Sequence, residues 1–389
     1  MLSYICSICH RIYDSITLVW RCECGGLLDL RSFASHFSIK EAITRPATIW
    51  RYIDALPFWG NDKGWKSVSM GEGFTPIVPL DGTGSSIFVK LDYLMPTLSF
   101  KDRGAAVLVA KAKEIGVTKL VADSSGNAGT SIAAYANRAG IECHIYVPES
   151  TSPKKIQQIV RHGATVHTVP GSRENTAKAA QRAVNEDDVF YASHVYNPYF
   201  YQGTKTYAFE VFEQMKEEIP DVVVVPVGNG TLLLGVYYGF KELLDLGLIN
   251  RMPRILAIQA EGCAPLALAF DNGLATARPV INEGTAAEGI AIANPPRSSQ
   301  ILAAVRETDG VIVTAPESLI DSTRDYLAKK GFYVEPTTAA TFAGFFKYVE
   351  SCIQGRALEK DRLFKVDPFQ PGSDRKVVIP LCGAGIKAD

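Results

Sequence analysis

From residue 118 onward the chain alternates short β-branched apolar runs with stretches whose apolar residues recur at helical spacing. "KLVAD" (119–123) leads into "GTSIAAYANRAG", "CHIYVP" (143–148) into "SPKKIQQIVRHG", and "TVHTVPG" (165–171) into "RENTAKAAQRAV". Strand, helix and strand at this rhythm predict right-handed crossover units on a parallel sheet. Runs that are apolar at nearly every position predict strands buried on both faces. "DVVVVPVGNG" (221–230), with the helical "TLLLGVYYGFKELLDLG", opens a second set. It continues through "RILAIQAEG", "GVIVTAPES", "TAATFAGFFKYVESC" and "KVVIPLCGAG". The Pro- and aromatic-rich stretch from Thr44 to Trp65 predicts a helix and an irregular lead-in. The expected fold class is α/β: two doubly wound, mostly parallel sheets side by side, with a ligand in the cleft between them. The units share a layout but no solenoid repeat.

Composition narrows the ligand. A chain of 389 residues predicts two or three domains at ~100–200 residues each and is long enough for a large core. Lys and Arg (40) nearly balance Asp and Glu (41), giving a formal charge of −1 with no run of like charges. That argues against nucleic acid or an anionic membrane surface as partner and favours a small molecule. The N-terminus "MLSYICSICH" has no basic head followed by an apolar stretch. No apolar run reaches the ~18 residues of a membrane span, so a soluble, cytoplasmic protein is expected.

Three segments carry candidate chemistry. "DSSGNAGTS" (123–131) sits where a strand gives way to a helix, so its backbone N–H groups are unmatched by intrahelical acceptors and favour negative charge. Ser124, Ser125, Asn127 and Thr130 add side-chain donors, which suits a carboxylate. The same residue types also make an ordinary helix N-cap. "PVGNGT" (226–231) repeats the arrangement: Gly228 and Gly230 allow the backbone to close around a phosphate, and Thr231 offers a hydroxyl. Neither G-x-G-x-x-G nor a Gly-Lys-Ser/Thr triplet follows, so this is neither a dinucleotide fingerprint nor a P-loop. The third segment is "SFKDRGA" (99–105), where Lys101 stands at the start of an apolar-periodic helix. Two anion loops and a lysine together describe a cofactor phosphate, an amino-acid carboxylate and an amine able to form a Schiff base.

In these motifs the chain resembles the fold type II, tryptophan synthase β-like family of pyridoxal-phosphate (PLP) enzymes, and within it the threonine-synthase branch. "SFKDRGA" resembles the family's lysine motif, which implies that Lys101 bonds to the cofactor aldehyde and then serves as base at the substrate Cα. "SSGNAGTS" resembles its asparagine loop. That implies Asn127 at the PLP ring hydroxyl, with Ser124, Ser125, Gly126, Asn127 and Thr130 on the substrate carboxylate. "GNGTL", comprising Gly228, Asn229, Gly230, Thr231 and Leu232, resembles the PLP-phosphate loop. "QAEGCAPL", "EGIAIANPPR", "GFYVEPTTAAT" and "PLCGAGIK" extend the likeness over nearly the whole chain. Cys382 occupies the place where this family puts Ser, Thr or Cys beside the pyridine nitrogen. The resemblance implies a PLP-dependent lyase acting on a small amino acid, and a homodimer. The implied domains are 35–100 with 206–389 as the large, PLP-binding one and 101–205 as the small one. Asp102 and Arg103 are expected to pair locally and support packing.

The resemblance weakens at one segment. The family's "N-S-x-N-P-x-R-x-x-G-Q-K-T" corresponds here to "SHVYNPYFYQGTKT" (193–206). Phe200 stands in the arginine position, and His194-Val195 replace Asn-Ser. A guanidinium that grips phosphate bidentately has become an aromatic ring. Either Lys205, Arg297 or His194 compensates, and the substrate is O-phosphohomoserine, or the substrate lacks a phosphate and the reaction is a β-elimination or β-replacement, as in serine/threonine ammonia-lyases. The aromatic cluster Tyr196, Tyr199, Phe200 and Tyr201 suits a less polar substrate or plain core packing.

Eight cysteines are present, four of them in the first 24 residues. Cys6-x₂-Cys9 and Cys22-x-Cys24 predict a zinc-ribbon-like segment over 1–34, holding a structural zinc on four thiolates. The C-x-C half departs from the usual spacing. Zinc ribbons also serve nucleic-acid proteins, but no basic patch flanks this one.

Overall fold

The computed structural model describes residues 2–31, 35–58, 64–82, 84–356, 363–364, 367–368 and 375–388. They form two compact units, Met1–Phe74 with Lys101–Thr206, and Thr75–Phe100 with Tyr207–Asp389.

The first unit is built on a four-stranded parallel sheet. Its order is Thr165–Val169, Glu142–Pro148, Lys119–Ala122, Phe190–Tyr191. The three crossover units predicted between residues 119 and 184 form as expected, with helices Asn127–Ala139, Pro153–Arg161 and Arg173–Asp187. The helix Lys101–Glu114 runs through the middle of this unit and is buried at every position from Asp102 to Ala112. It can be, because its first turns are lined with Gly104, Ala105 and Ala106, which let other helices approach closely. A Cβ on Gly104 would overlap the Phe200 ring, and one on Gly203 would overlap the Arg103 carbonyl.

Residues 35–74, expected with the larger domain, pack with this first unit instead. The reason is burial: Trp50, Leu56 and Val68 join the apolar cluster around Ala105–Ala112. Glu72 also accepts hydrogen bonds from Trp50 Nε1 (2.6 Å) and Tyr135 OH (3.1 Å). Inside the expected lead-in lie the 3₁₀ helix Ile49–Ala55 and the start of the short helix Gly64–Val68; residues 59–63 lie outside the described residues, as do 32–34 of the N-terminal segment. That segment forms a three-stranded antiparallel sheet, order Ile12–Asp14, Ser3–Cys6, Leu28–Leu30. Trp20 docks it on the α/β body, edge-on to Tyr191 and Tyr196 at 5.2 Å each, with its Nε1 donating to Asn185 at 3.0 Å.

The second unit holds a six-stranded sheet of order Val311–Ala315, Arg254–Ala260, Val222–Pro226, Val377–Pro380, Ile87–Lys90, Ile77–Pro79. All neighbours are parallel except the last pair. The central strands Val222–Pro226 and Val377–Pro380 are buried at every residue, as their unbroken apolar sequence predicts. The sequence pattern did not reveal Ile87–Lys90 or the two-residue Phe190–Tyr191, the latter too short to show a period. Among the described residues no helix is long and apolar enough to cross a membrane.

Candidate active site

Lys101 opens its helix directly after a segment fixed in the second unit. Phe100 N donates to the Cys382 carbonyl (2.9 Å), and Ser99 pairs with Gly383 across a β-bridge. In the first unit the Lys101 Nζ lies 5.8 Å from the Phe200 ring centroid. Asp102 and Arg103 are both fully buried. The Asp102 carboxylate accepts from Ser131 Oγ, and Arg103 Nη1 donates to Thr206 Oγ1 at 3.1 Å. The first of these bonds ties the start of the lysine helix to the helix Asn127–Ala139.

That second helix carries the asparagine loop. Ser124, Ser125, Gly126 and Asn127 are partly buried together at the C-terminal end of the strand Lys119–Ala122, with Gly126 as N-cap. Gly129 is required here: any Cβ would run into the Ser124 carbonyl, so only glycine lets the loop fold back on the helix. Thr130 is set apart from its neighbours. Its side chain is buried, and Oγ1 approaches the Gly126 carbonyl at 3.4 Å, supporting the turn from inside.

Beside this loop, Asp123 accepts from Tyr191 OH at 2.8 Å. Burial pushes the Asp123 carboxyl above its usual range, opposed by that hydrogen bond and by the nearby Arg173 charge. His194 is 7 % exposed and packs edge-on to Phe200 with centroids 5.9 Å apart. Burial, then the charges of Lys101 and Arg173, hold its imidazole well below 6.5, so it is neutral at pH 7.

The second unit carries the other glycine loop. Gly228, Asn229 and Gly230 follow the strand Val222–Pro226, and Thr231 and Leu232 open the helix Thr231–Asp245. Gly230 has φ +76°, and a Cβ on it would lie 2.5 Å from Ile301. A Cβ on Gly228 would lie 2.8 Å from Ile292. The helix's first turn contains no acidic residue. Glycine is needed at both positions because isoleucine side chains pack directly against the loop, whose backbone N–H groups stand at the start of a helix, where an anion is favoured. Cys382 follows the adjacent parallel strand, so loop and thiol emerge at the same end of the sheet. Its backbone N–H donates to Thr338 Oγ1 at 3.1 Å, and the side chain is fully buried.

Phe200 proves to be core. It is 0 % exposed over Gly104, Tyr199 is equally buried, and Tyr201 OH donates to the Val195 carbonyl at 2.9 Å. Of the two roles open to the aromatic cluster, these three residues take packing. Glu72 escaped sequence reading altogether. It is 1 % exposed and gathers the Trp50, Tyr135 and Met70 donors, yet nothing in "GEGFTP" marks it by periodicity.

At the N-terminus the sulfurs of Cys6, Cys9, Cys22 and Cys24 all lie within 4.8 Å of one another. Cys6 and Cys24 are 3.5 Å apart, as are Cys9 and Cys22, so the C-x-C half reaches the cluster despite its spacing. The Tyr13 hydroxyl (3.1 Å) holds the Cys22 thiol down to about 6.

Residues 68–359 match the family described as "Pyridoxal-phosphate dependent enzyme". The chain belongs to that family. As a pyridoxal-phosphate dependent enzyme it is similar to the threonine synthase of Methanocaldococcus jannaschii, 32% identical over 364 residues, covering 90% of this chain and 88% of the relative. The threonine synthase of Mycobacterium tuberculosis is 33% identical over 311 residues, covering 78% and 83%. Among solved structures, maize serine racemase superposes with a TM-score of 0.67 at 20% identity, over 88% of this chain and 94% of that one. The processed form of threonine deaminase isoform 2 from Solanum lycopersicum gives 0.67 and 20%, over 90% and 92%. These neighbours show that the pyridoxal-phosphate enzyme has the fold type II architecture.

Proposed function

We propose that this PLP-dependent lyase converts O-phosphohomoserine and water to threonine and phosphate. The observation that carries this reading is the likeness to threonine synthases over 90% of the chain. PLP, when bound through its aldehyde, withdraws electrons from the substrate Cα and so acidifies the Cα–H. The residues present fit it: Lys101 offers the amine, and the glycine loop at 228–232, which opens a helix with no acidic residue in its first turn, suits its phosphate. In this reading the N–H groups of Gly228–Leu232 hold that phosphate, with Asn229 and Thr231 beside it. Asn127 bonds the ring hydroxyl, and Cys382 packs at the ring nitrogen without protonating it. Ser124, Ser125, Gly126 and Asn127 orient the substrate carboxylate, with Thr130 bracing their turn. Lys101 Nζ then takes the Cα proton.

One observation favours a second reading, the loss of ammonia from serine or threonine: Phe200 stands where a phosphate-binding arginine is expected. Incubation with O-phosphohomoserine separates the two. Threonine and phosphate released in equal amounts support the first, whereas ammonia and a 2-oxo acid from threonine, with O-phosphohomoserine untouched, replace it with the second.

We propose in addition that Cys6, Cys9, Cys22 and Cys24 hold a structural zinc. Zn–S bonds of about 2.3 Å in a tetrahedron need sulfurs ~3.8 Å apart, close to the separations present. Four protein ligands leave no open position, so the role is structural. Purified protein is expected to carry one zinc per chain, and a Cys9→Ser/Cys24→Ser variant to lose it and unfold roughly 5 °C lower. Wild-type protein that takes up no zinc, with a variant that unfolds at the wild-type midpoint, rules the site out.

A further inference from the structure

The loop at 124–127 lies between two fixed ends. At the helix end, the Ser124 carbonyl packs onto Gly129 so closely that a Cβ there would stand 1.8 Å from it. At the strand end is Asp123, whose side chain accepts the Tyr191 hydroxyl at 2.8 Å. A carboxylate withdrawn from water is stabilised by such a bond, which also fixes its rotamer and, one residue on, the entry of the chain into the loop.

Tyr191 has little backbone to anchor it. It lies on the two-residue strand Phe190–Tyr191 at one edge of the four-stranded sheet, with Val121 opposite and Ala192 N donating to the Val121 carbonyl at 2.8 Å. A strand so short has few ladder bonds, so side-chain packing must hold it. Tyr191 is nevertheless 1 % exposed. Part of its cover comes from the N-terminal segment: Trp20 meets the Tyr191 ring edge-on at 5.2 Å with an interplanar angle of 83°, an arrangement the ring quadrupoles favour. Trp20 is fixed in turn. Its Nε1 donates to Asn185 Oδ1 at 3.0 Å, and two residues on, Cys22 joins the sulfur cluster. Indole, phenol, carboxylate and loop thus form an unbroken series inside the first unit, from the N-terminal sheet to the residues assigned to the substrate.

We propose that Tyr191 and Asp123 are positioning residues for this loop, and that the N-terminal segment serves the site by holding Tyr191 through Trp20. The proposal rests on the reading of residues 124–127 as the carriers of the substrate carboxylate. A displacement of about 1 Å in such donors weakens binding and orientation without unfolding the protein. Loss of the brace is therefore expected to impair amino-acid binding while the cofactor stays bound and the sheet stays intact.

The test uses the whole chain, saturated with PLP, with Tyr191→Phe, Trp20→Leu, Trp20→Phe and, as a control packed on the same apolar cluster, Tyr146→Phe. Amide hydrogen exchange reads the loop directly. In Tyr191→Phe and Trp20→Leu, exchange over 124–129 is expected to rise about tenfold or more, while the strand Glu142–Pro148 keeps its wild-type rate. Threonine, the product in one reading of the reaction and the substrate in the other, is the binding probe, followed by the initial change it causes in the visible absorption of the cofactor. Its affinity should fall about fivefold or more in those two variants, with kcat within about twofold of wild type. Trp20→Phe, which retains a ring, should recover most of both effects, and Tyr146→Phe should show neither. Wild-type exchange over 124–129 in Tyr191→Phe overturns the proposal. A rise shared equally by Glu142–Pro148 also overturns it, because that marks a general loss of stability. Faster exchange over 124–129 with unaltered threonine affinity keeps the brace and removes residues 124–127 from the substrate carboxylate.

Discussion

Lys101→Ala is expected to lose turnover by about 10³-fold or more, the upper part of the range for removing a positioned general base. The covalent link to the cofactor should go with it. Borohydride reduction of wild type should leave the cofactor mass fixed to the peptide that contains Lys101, and the same treatment of the variant should leave the chain unlabelled. The variant is expected to fold, because only the first residue of the helix changes and the burial begins at Asp102. Alanine also has the highest helix propensity. The nearby Asp102–Ser131 and Arg103–Thr206 bonds do not involve the amine. Near-wild-type turnover, or a reduced adduct that survives the substitution, would place the reactive amine elsewhere and remove the basis of the proposed function.

A second large effect is expected far from any substrate. Lys90 is fully buried in the second unit and forms an ion pair with the equally buried Glu210 at 2.8 Å. Its ammonium also donates to the Thr75 carbonyl (2.7 Å), Thr75 Oγ1 (2.9 Å) and Gln214 Oε1 (3.0 Å). Thr75 is where the chain enters this unit, and Glu210 lies on the helix by which it re-enters after Thr206. Lys90→Met leaves the Glu210 carboxylate without its cation in a site closed to water. Breaking a buried pair in this way costs about 3–5 kcal/mol. Urea unfolding should show that loss, and the double variant Lys90→Met/Glu210→Leu should recover much of it, since desolvating both charges offsets most of their attraction. A single variant within about 1 kcal/mol of wild type would mean that water reaches the pair.

Much of the fold can be read from residue order because burial on both faces imposes a simple rule. The strands Lys119–Ala122, Val222–Pro226 and Val377–Pro380 must be apolar nearly throughout, and the helices between them must not be. A strand of two residues, Phe190–Tyr191, is too short for that rule to show. The glycine loops are equally legible, since only glycine tolerates φ +76° at Gly230 or the carbonyl pressed against Gly129.

What the sequence determined by itself is therefore the α/β plan, two glycine-bearing strand-to-helix turns and a lysine at a helix start: each is fixed by neighbours within a few residues. Tertiary structure alone decided that residues 35–74 join the first unit, that Phe200 is packing, and that Glu72 is a buried acceptor. It also decided that Lys101 and His194 both lie against the Phe200 ring. The physical reason is range. Backbone sterics and hydrophobic period act locally along the chain, whereas burial and charge depend on which distant segments fold against one another.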